Sequence, residues 1–198
     1  MTLIIVPDIF GRTPALERLK ETLIHALNSP RHPHSPLAAD IIDPYGDDLF
    51  FRDEKTAYAH FKRSMSIPAY ADLVQEKIEN ASGRVYLLGF SAGASALWYL
   101  SGMTKADREI KAVGFYGSQI RYFPDIDPRF DTHLIFPAAE THFDVDALLG
   151  KLTGRPALVC EKSRGRHGFM NEYSVNFDPK LYRIYIEEKL PDILYWKS

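Results

Sequence analysis

Six short apolar runs, each parted from the next by a longer stretch with helical spacing, constrain this chain more than any other feature. The runs are Leu3–Val6, Asp40–Ile42, Arg84–Gly89, Ala112–Tyr116, His133–Phe136 and Ala157–Cys160. Most are continuous in apolar residues rather than alternating, which suits strands buried on both faces of a parallel sheet. The helical stretches are Pro14–Leu27, Lys55–Arg63, Pro68–Asn80, Ala92–Ser101, Val145–Leu152 and Pro179–Lys189. The first carries Leu16, Leu19, Leu23 and Leu27 on one stripe, with Thr13 as N-cap and Pro14 in the first turn. This alternation predicts an α/β fold. Its form is a compact three-layer sandwich, a mostly parallel sheet with helices on both faces, formed by residues 1–198 as a single domain. Sites in such sheets form at the carboxyl ends of the strands.

Charge and length narrow the function classes. The 198 residues carry a net charge of −2, so no basic field draws in a phosphate backbone, and nucleic acid is not an expected partner. No run approaches the ~18 apolar residues of a membrane span. The N-terminal apolar run is too short for a signal peptide and has no basic leader, which makes the cytoplasm the default location. Cys160 is the one cysteine. It cannot pair internally, and its setting reads as a buried apolar filler. No Cys/His spacing calls for a metal, and no motif calls for a cofactor. The proline-rich stretch Asn28 to Leu37 reads as a surface loop.

The chemistry concentrates at Gly89-Phe90-Ser91-Ala92-Gly93. A strand-like run precedes it and a helix-like run follows. G-x-S-x-G in that context is a nucleophile elbow, with the serine on a strained turn and its Oγ raised above the sheet. A serine hydroxyl needs a base. Of seven histidines, His167 stands just past the last apolar run, in Arg166-His167-Gly168-Phe169, where a base can reach back over the sheet. The orienting acid is expected in the loop after the fifth run, where Glu140 and Asp144 are both candidates and Asp146 a weaker one. Asp144 also reads as a helix cap. The oxyanion donors are expected to be the backbone N–H of Ala92 and that of Ile9 or Phe10. Phe10 reads as a wall of an apolar acyl pocket, and Tyr116, Phe169 and Met170 read either as further walls or as plain core or rim packing, a lining that suggests a neutral or partly apolar acyl substrate. Arg164 and Arg166 read as solvated charge or as carboxylate binders.

Five segments together carry a resemblance to a known family: Val6-Pro7-Asp8-Ile9-Phe10-Gly11, the elbow, Gly114-Phe115-Tyr116-Gly117, His142-Phe143 and His167-Gly168-Phe169. The chain resembles the dienelactone hydrolase family of the α/β-hydrolase superfamily. The resemblance implies a compact hydrolase core without a cap domain, acyl-ester chemistry, and a place for Asp8 near the substrate. Three positions depart from the family pattern. Ser91 stands where the family has a cysteine, Asp8 where it has a glutamate, and Thr141 where its acid directly precedes His-Phe.

The expected function is therefore cleavage of a small carboxylic ester or lactone by a serine nucleophile, through an acyl-enzyme and without a cofactor. The alternative is a binding protein on the same fold whose triad is impaired, a reading motivated by Thr141. A dinucleotide-binding sheet is disfavoured, because Gly11 is the only glycine in the turn after the first run.

Overall fold

The computed structural model describes residues 1–27, 38–103 and 108–194, so the loop expected over 28–37 lies outside the described residues. The six apolar runs become β1 (Thr2–Val6), β2 (Ala38–Ile41), β3 (Val85–Phe90), β4 (Ile110–Phe115), β5 (Asp131–Phe136) and β6 (Leu158–Lys162). They form one sheet in the order β2-β1-β3-β4-β5-β6, and every pairing is parallel. The helices are α1 (Pro14–Leu27), α2 (Glu54–Ser64), α3 (Ile67–Asn80), α4 (Ala92–Ser101), α5 (Val145–Leu152), α6 (Pro179–Ile184) and α7 (Leu190–Leu194). A π-helical stretch, Tyr185–Lys189, joins the last two.

Successive strand residues point to opposite faces, and here both faces are apolar. Leu3, Ile5, Tyr86, Leu88, Val113 and Phe115 pack toward α1 and the C-terminal helices, through Leu19, Leu23, Tyr185 and Leu190. Ile4, Val6, Val85, Leu87 and Ala112 pack toward α3 and α4, through Tyr70, Val74, Ile78 and Leu97. This double burial explains the continuous apolar runs. The caps sit where short polar side chains allow. Thr13 Oγ1 accepts from Leu16 N–H, Ser66 caps α3 ahead of Pro68, and Asp53, Asp144 and Asp178 each accept two N–H groups at the start of α2, α5 and α6.

Two expectations need correction. β2 and β6 are edge strands rather than doubly buried ones, with Ala38 exposed and Val159 58% exposed. Cys160 is half-buried rather than buried, although its cover still pushes the thiol up to about 11. A 3₁₀ turn at Ser118–Tyr122 was not expected, being too short to show a period. No helix among the described residues is long and apolar enough to cross a membrane.

Candidate active site

β3 runs straight into α4 through Ser91, which has φ 48° and ψ −107°. A side-chain-bearing residue in that region costs about 1–3 kcal/mol and persists only where its surroundings impose it. Here Ser91 N–H donates to Phe115 O on β4, while Ser91 O accepts from both the N–H and the Oγ of Ser95. The flanking glycines allow the close return of helix past strand. A Cβ on Gly93 would lie 2.2 Å from Val6 O, and one on Gly89 would lie 2.8 Å from Ala94 N.

The loop after β6 brings His167 over this turn. Ser91 Oγ lies 3.0 Å from His167 Nε2, and His167 Nδ1 lies 2.6 Å from Glu140 Oε1. The carboxylate can only accept, so the ring proton belongs on Nδ1 and Nε2 is left to accept from the hydroxyl. The Glu140 side chain is 8% exposed and that of His167 30%, and both line the same cleft as Ser91. Gly168 turns the chain at φ +85°, and Phe169 plugs the loop into the core against Phe115, Tyr116 and Tyr185. Asn176 Nδ2 donates to His167 O. Ala138 N–H donates to Gly165 O, tying the acid loop to the histidine loop.

Of the two carboxylates open in the sequence, Glu140 meets the imidazole. Asp144 does not: its oxygen is taken by Asp146 N–H and Ala147 N–H at the start of α5. Asp146 pairs with Lys162.

The loop after β1 carries the other half of the site. Pro7 O accepts from Tyr70 Oη at 2.9 Å, and Ile9 O from Tyr45 Oη at 2.6 Å. Phe10 N–H donates to Asp8 Oδ1 at 3.0 Å, Phe10 O accepts from Phe51 N–H, and Gly11 N–H donates to Asp8 O. Ile9 N–H has no acceptor among the described residues, and Ile9, Ser91 and Ala92 line one cleft. Of the two backbone N–H groups left open above, that of Phe10 is taken by Asp8 Oδ1 and that of Ile9 is not taken. Tyr45 and Tyr70, which hold the loop, were missed in the sequence because buried tyrosines on helical or loop stretches read as core. Burial raises both phenols above their ordinary range.

The cleft has a volume of about 660 Å³. Its banks are α2 and the start of α3 on one side, with Tyr58, Lys62 and Ile67, and the 3₁₀ turn on the other, with Arg121 and Tyr122. Tyr116, Phe169 and Met170 take the core-packing alternative, and Phe10 is buried with them; none of the four lines the cleft. Tyr116 instead lies under the imidazole, ring centroids 5.1 Å apart. Asp8 also stays out of the cleft, and Arg164 and Arg166 are exposed beside it without lining it. The cationic side chains on the cleft are Lys62 and Arg121, each stacked on a tyrosine and each without a carboxylate partner among the described residues. The sequence offered no signal for Arg121, which sits in the unexpected turn.

Comparison with solved structures places the fold. The chain superposes on a dienelactone hydrolase from Anabaena variabilis with a TM-score of 0.59 at 16% identity, covering 99% of this chain and 86% of that one. Est1E from Butyrivibrio proteoclasticus matches with a TM-score of 0.60 at 10% identity, over 98% and 88%. A dienelactone hydrolase-like promiscuous phosphotriesterase from metagenomic libraries matches with a TM-score of 0.60 at 14% identity, over 96% and 84%. These likenesses establish the α/β-hydrolase fold. No family model matches the chain. Among curated sequences, the uncharacterized protein YczH of Bacillus subtilis (strain 168) is 32% identical over 150 residues, covering 72% of this chain and 73% of the relative. On that identity and coverage, the chain belongs to the same family as Bacillus subtilis YczH and is built on the α/β-hydrolase fold.

Proposed function

We propose that the protein is a serine hydrolase that cleaves a carboxylic ester or lactone through an acyl-enzyme. The reading rests on the unbroken line from Ser91 Oγ through the His167 ring to Glu140, with contacts of 3.0 Å and 2.6 Å. His167 Nε2 takes the hydroxyl proton as Ser91 attacks the carbonyl carbon, and returns it to the leaving alcohol. Glu140 steadies the imidazolium formed in between. The N–H groups of Ile9 and Ala92 receive the charge that develops on the carbonyl oxygen, an interaction worth about 2.7–4 kcal/mol per donor. Water, deprotonated by His167, then releases the acyl group. Lys62 and Arg121 support a substrate with polar or anionic groups more than the neutral or partly apolar acyl substrate expected from the sequence.

The contrary reading, an impaired binding protein, drew on the missing carboxylate at Thr141. With Glu140 one residue earlier and within reach of the imidazole, that motive falls away. Labelling with a fluorophosphonate probe tests the proposal. Ser91 is expected to be labelled in the wild type, and labelling is expected to vanish in Ser91→Ala and His167→Ala. Glu140→Gln should lower turnover of a p-nitrophenyl ester by roughly 10⁴-fold, as loss of the orienting carboxylate does in serine triads, while Asp144→Asn should leave turnover unchanged. A folded wild type that resists the probe removes the reading.

A further inference from the structure

We propose that Asp8 is a positioning residue, a carboxylate clasp that locks the loop after β1, with its oxyanion donor, to the loop after β6, with its histidine. The inference rests on the reading of Ile9, Ser91 and His167 given above. Asp8 Oδ1 accepts from Phe10 N–H at 3.0 Å, within its own loop. Asp8 Oδ2 accepts from Asn171 Nδ2 at 2.7 Å, across 163 positions of sequence. The first bond shapes the turn that leaves Ile9 N–H free. The second holds Asn171, whose N–H donates to Gly168 O and whose Oδ1 accepts from Tyr173 N–H, so that the chain just past His167 is braced as well. One planar group with two acceptor oxygens thereby ties the two loops together.

A carboxylate is an expensive choice at this place. Asp8 is 7% exposed, and burial raises it to about 6 against its two hydrogen bonds. His167 favours its charge, Glu54 opposes it, and that charge helps to raise the phenols of Tyr45, Tyr70 and Tyr116. Thr13, Glu172 and Tyr182 line the small cavity beside it. Protonation would turn one acceptor oxygen into a donor and leave either Phe10 N–H or Asn171 Nδ2 without a partner. The clasp therefore holds above about pH 6 and loosens below it.

Amide hydrogen exchange at pH 8, together with p-nitrophenyl acetate hydrolysis from pH 5 to 9, tests the proposal on wild type, Asp8→Ala and Asp8→Asn. In Asp8→Ala, peptides covering residues 7–12 and 164–174 are expected to lose protection together while the sheet stays protected. Turnover should fall by roughly a hundredfold, the scale of a 1 Å misplacement, with KM little changed. Asp8→Asn keeps an acceptor for Phe10 N–H but, like the protonated acid, turns a donor toward Asn171 Nδ2, so its turnover at pH 8 is expected to fall between those of Asp8→Ala and the wild type, and its profile to lack the step near pH 6. Loosening of one loop alone, or of neither, overturns the clasp. So does an Asp8→Asn profile identical to that of the wild type. Asn171→Ala opens the same clasp from the other side and serves if Asp8→Ala does not fold; it must give the same paired loss. The exchange readout needs no chemistry at Ser91, so paired loosening in a protein whose serine is unreactive would leave the clasp standing and remove the esterase reading.

Discussion

Asp8 pays in stability for what it holds in place. Its value near 6 in the folded protein lies above the ordinary 3.8. Between these two values the folded chain binds the proton more tightly than the unfolded chain does, so stability falls as pH rises through that window, by about 3 kcal/mol, and is level above it. Asp8→Asn removes the charge. Its Tm is expected to exceed that of the wild type at pH 8 and to meet it near pH 4, measured by thermal unfolding followed by circular dichroism. A gap of equal size at both pH values would put the effect down to something other than charge. Single residues were also where the sequence reading divided. Ser91 and His167 were legible because a motif and a chain order name them. Glu140 and Asp144 were not separable, because both fall in one loop and only the direction of each side chain decides. Ile9 and Phe10 were not separable either, because the competition of Asp8 for a backbone N–H leaves no mark on the residue types.

Elements were read better than their ends. α1, α4 and α5 fall where their spacing and caps put them, whereas β2 begins two residues before the expected Asp40 and β6 runs two residues past Cys160. The elbow between β3 and α4 makes the sharpest demand on residue type. A Cβ on Gly93 would meet two backbone oxygens, Val6 O at 2.2 Å and Pro7 O at 2.5 Å, and backbone cannot swing aside as a side chain can. Gly93→Ala is expected to cost about 3 kcal/mol, read as a lower urea midpoint, because strand and helix must part to admit the methyl. Gly150, inside α5, is the control. A Cβ there meets nothing within 4 Å, and Gly150→Ala is expected to stabilise by about 0.5–1 kcal/mol through helix propensity. Equal effects at the two glycines would mean that the elbow is looser than its contacts suggest.

At the scale of the molecule, the parallel α/β architecture could be read almost whole from the sequence, because double burial writes itself as continuous apolar runs. The exceptions were β2 and β6, whose places at the two rims depend on the order of strands and not on their composition. The place of β6 has a consequence for how the protein fails. Ser91 stands at the end of β3 in the middle of the sheet, while His167 hangs from β6, a strand with one neighbour and an open side. A rim strand frays before a central one. The proposed esterase activity is therefore expected to vanish at a lower guanidinium concentration than the far-ultraviolet ellipticity, the molecule going silent while most of its backbone is still intact. Superimposable midpoints for turnover and ellipticity would show that the rim and the centre come apart as one unit.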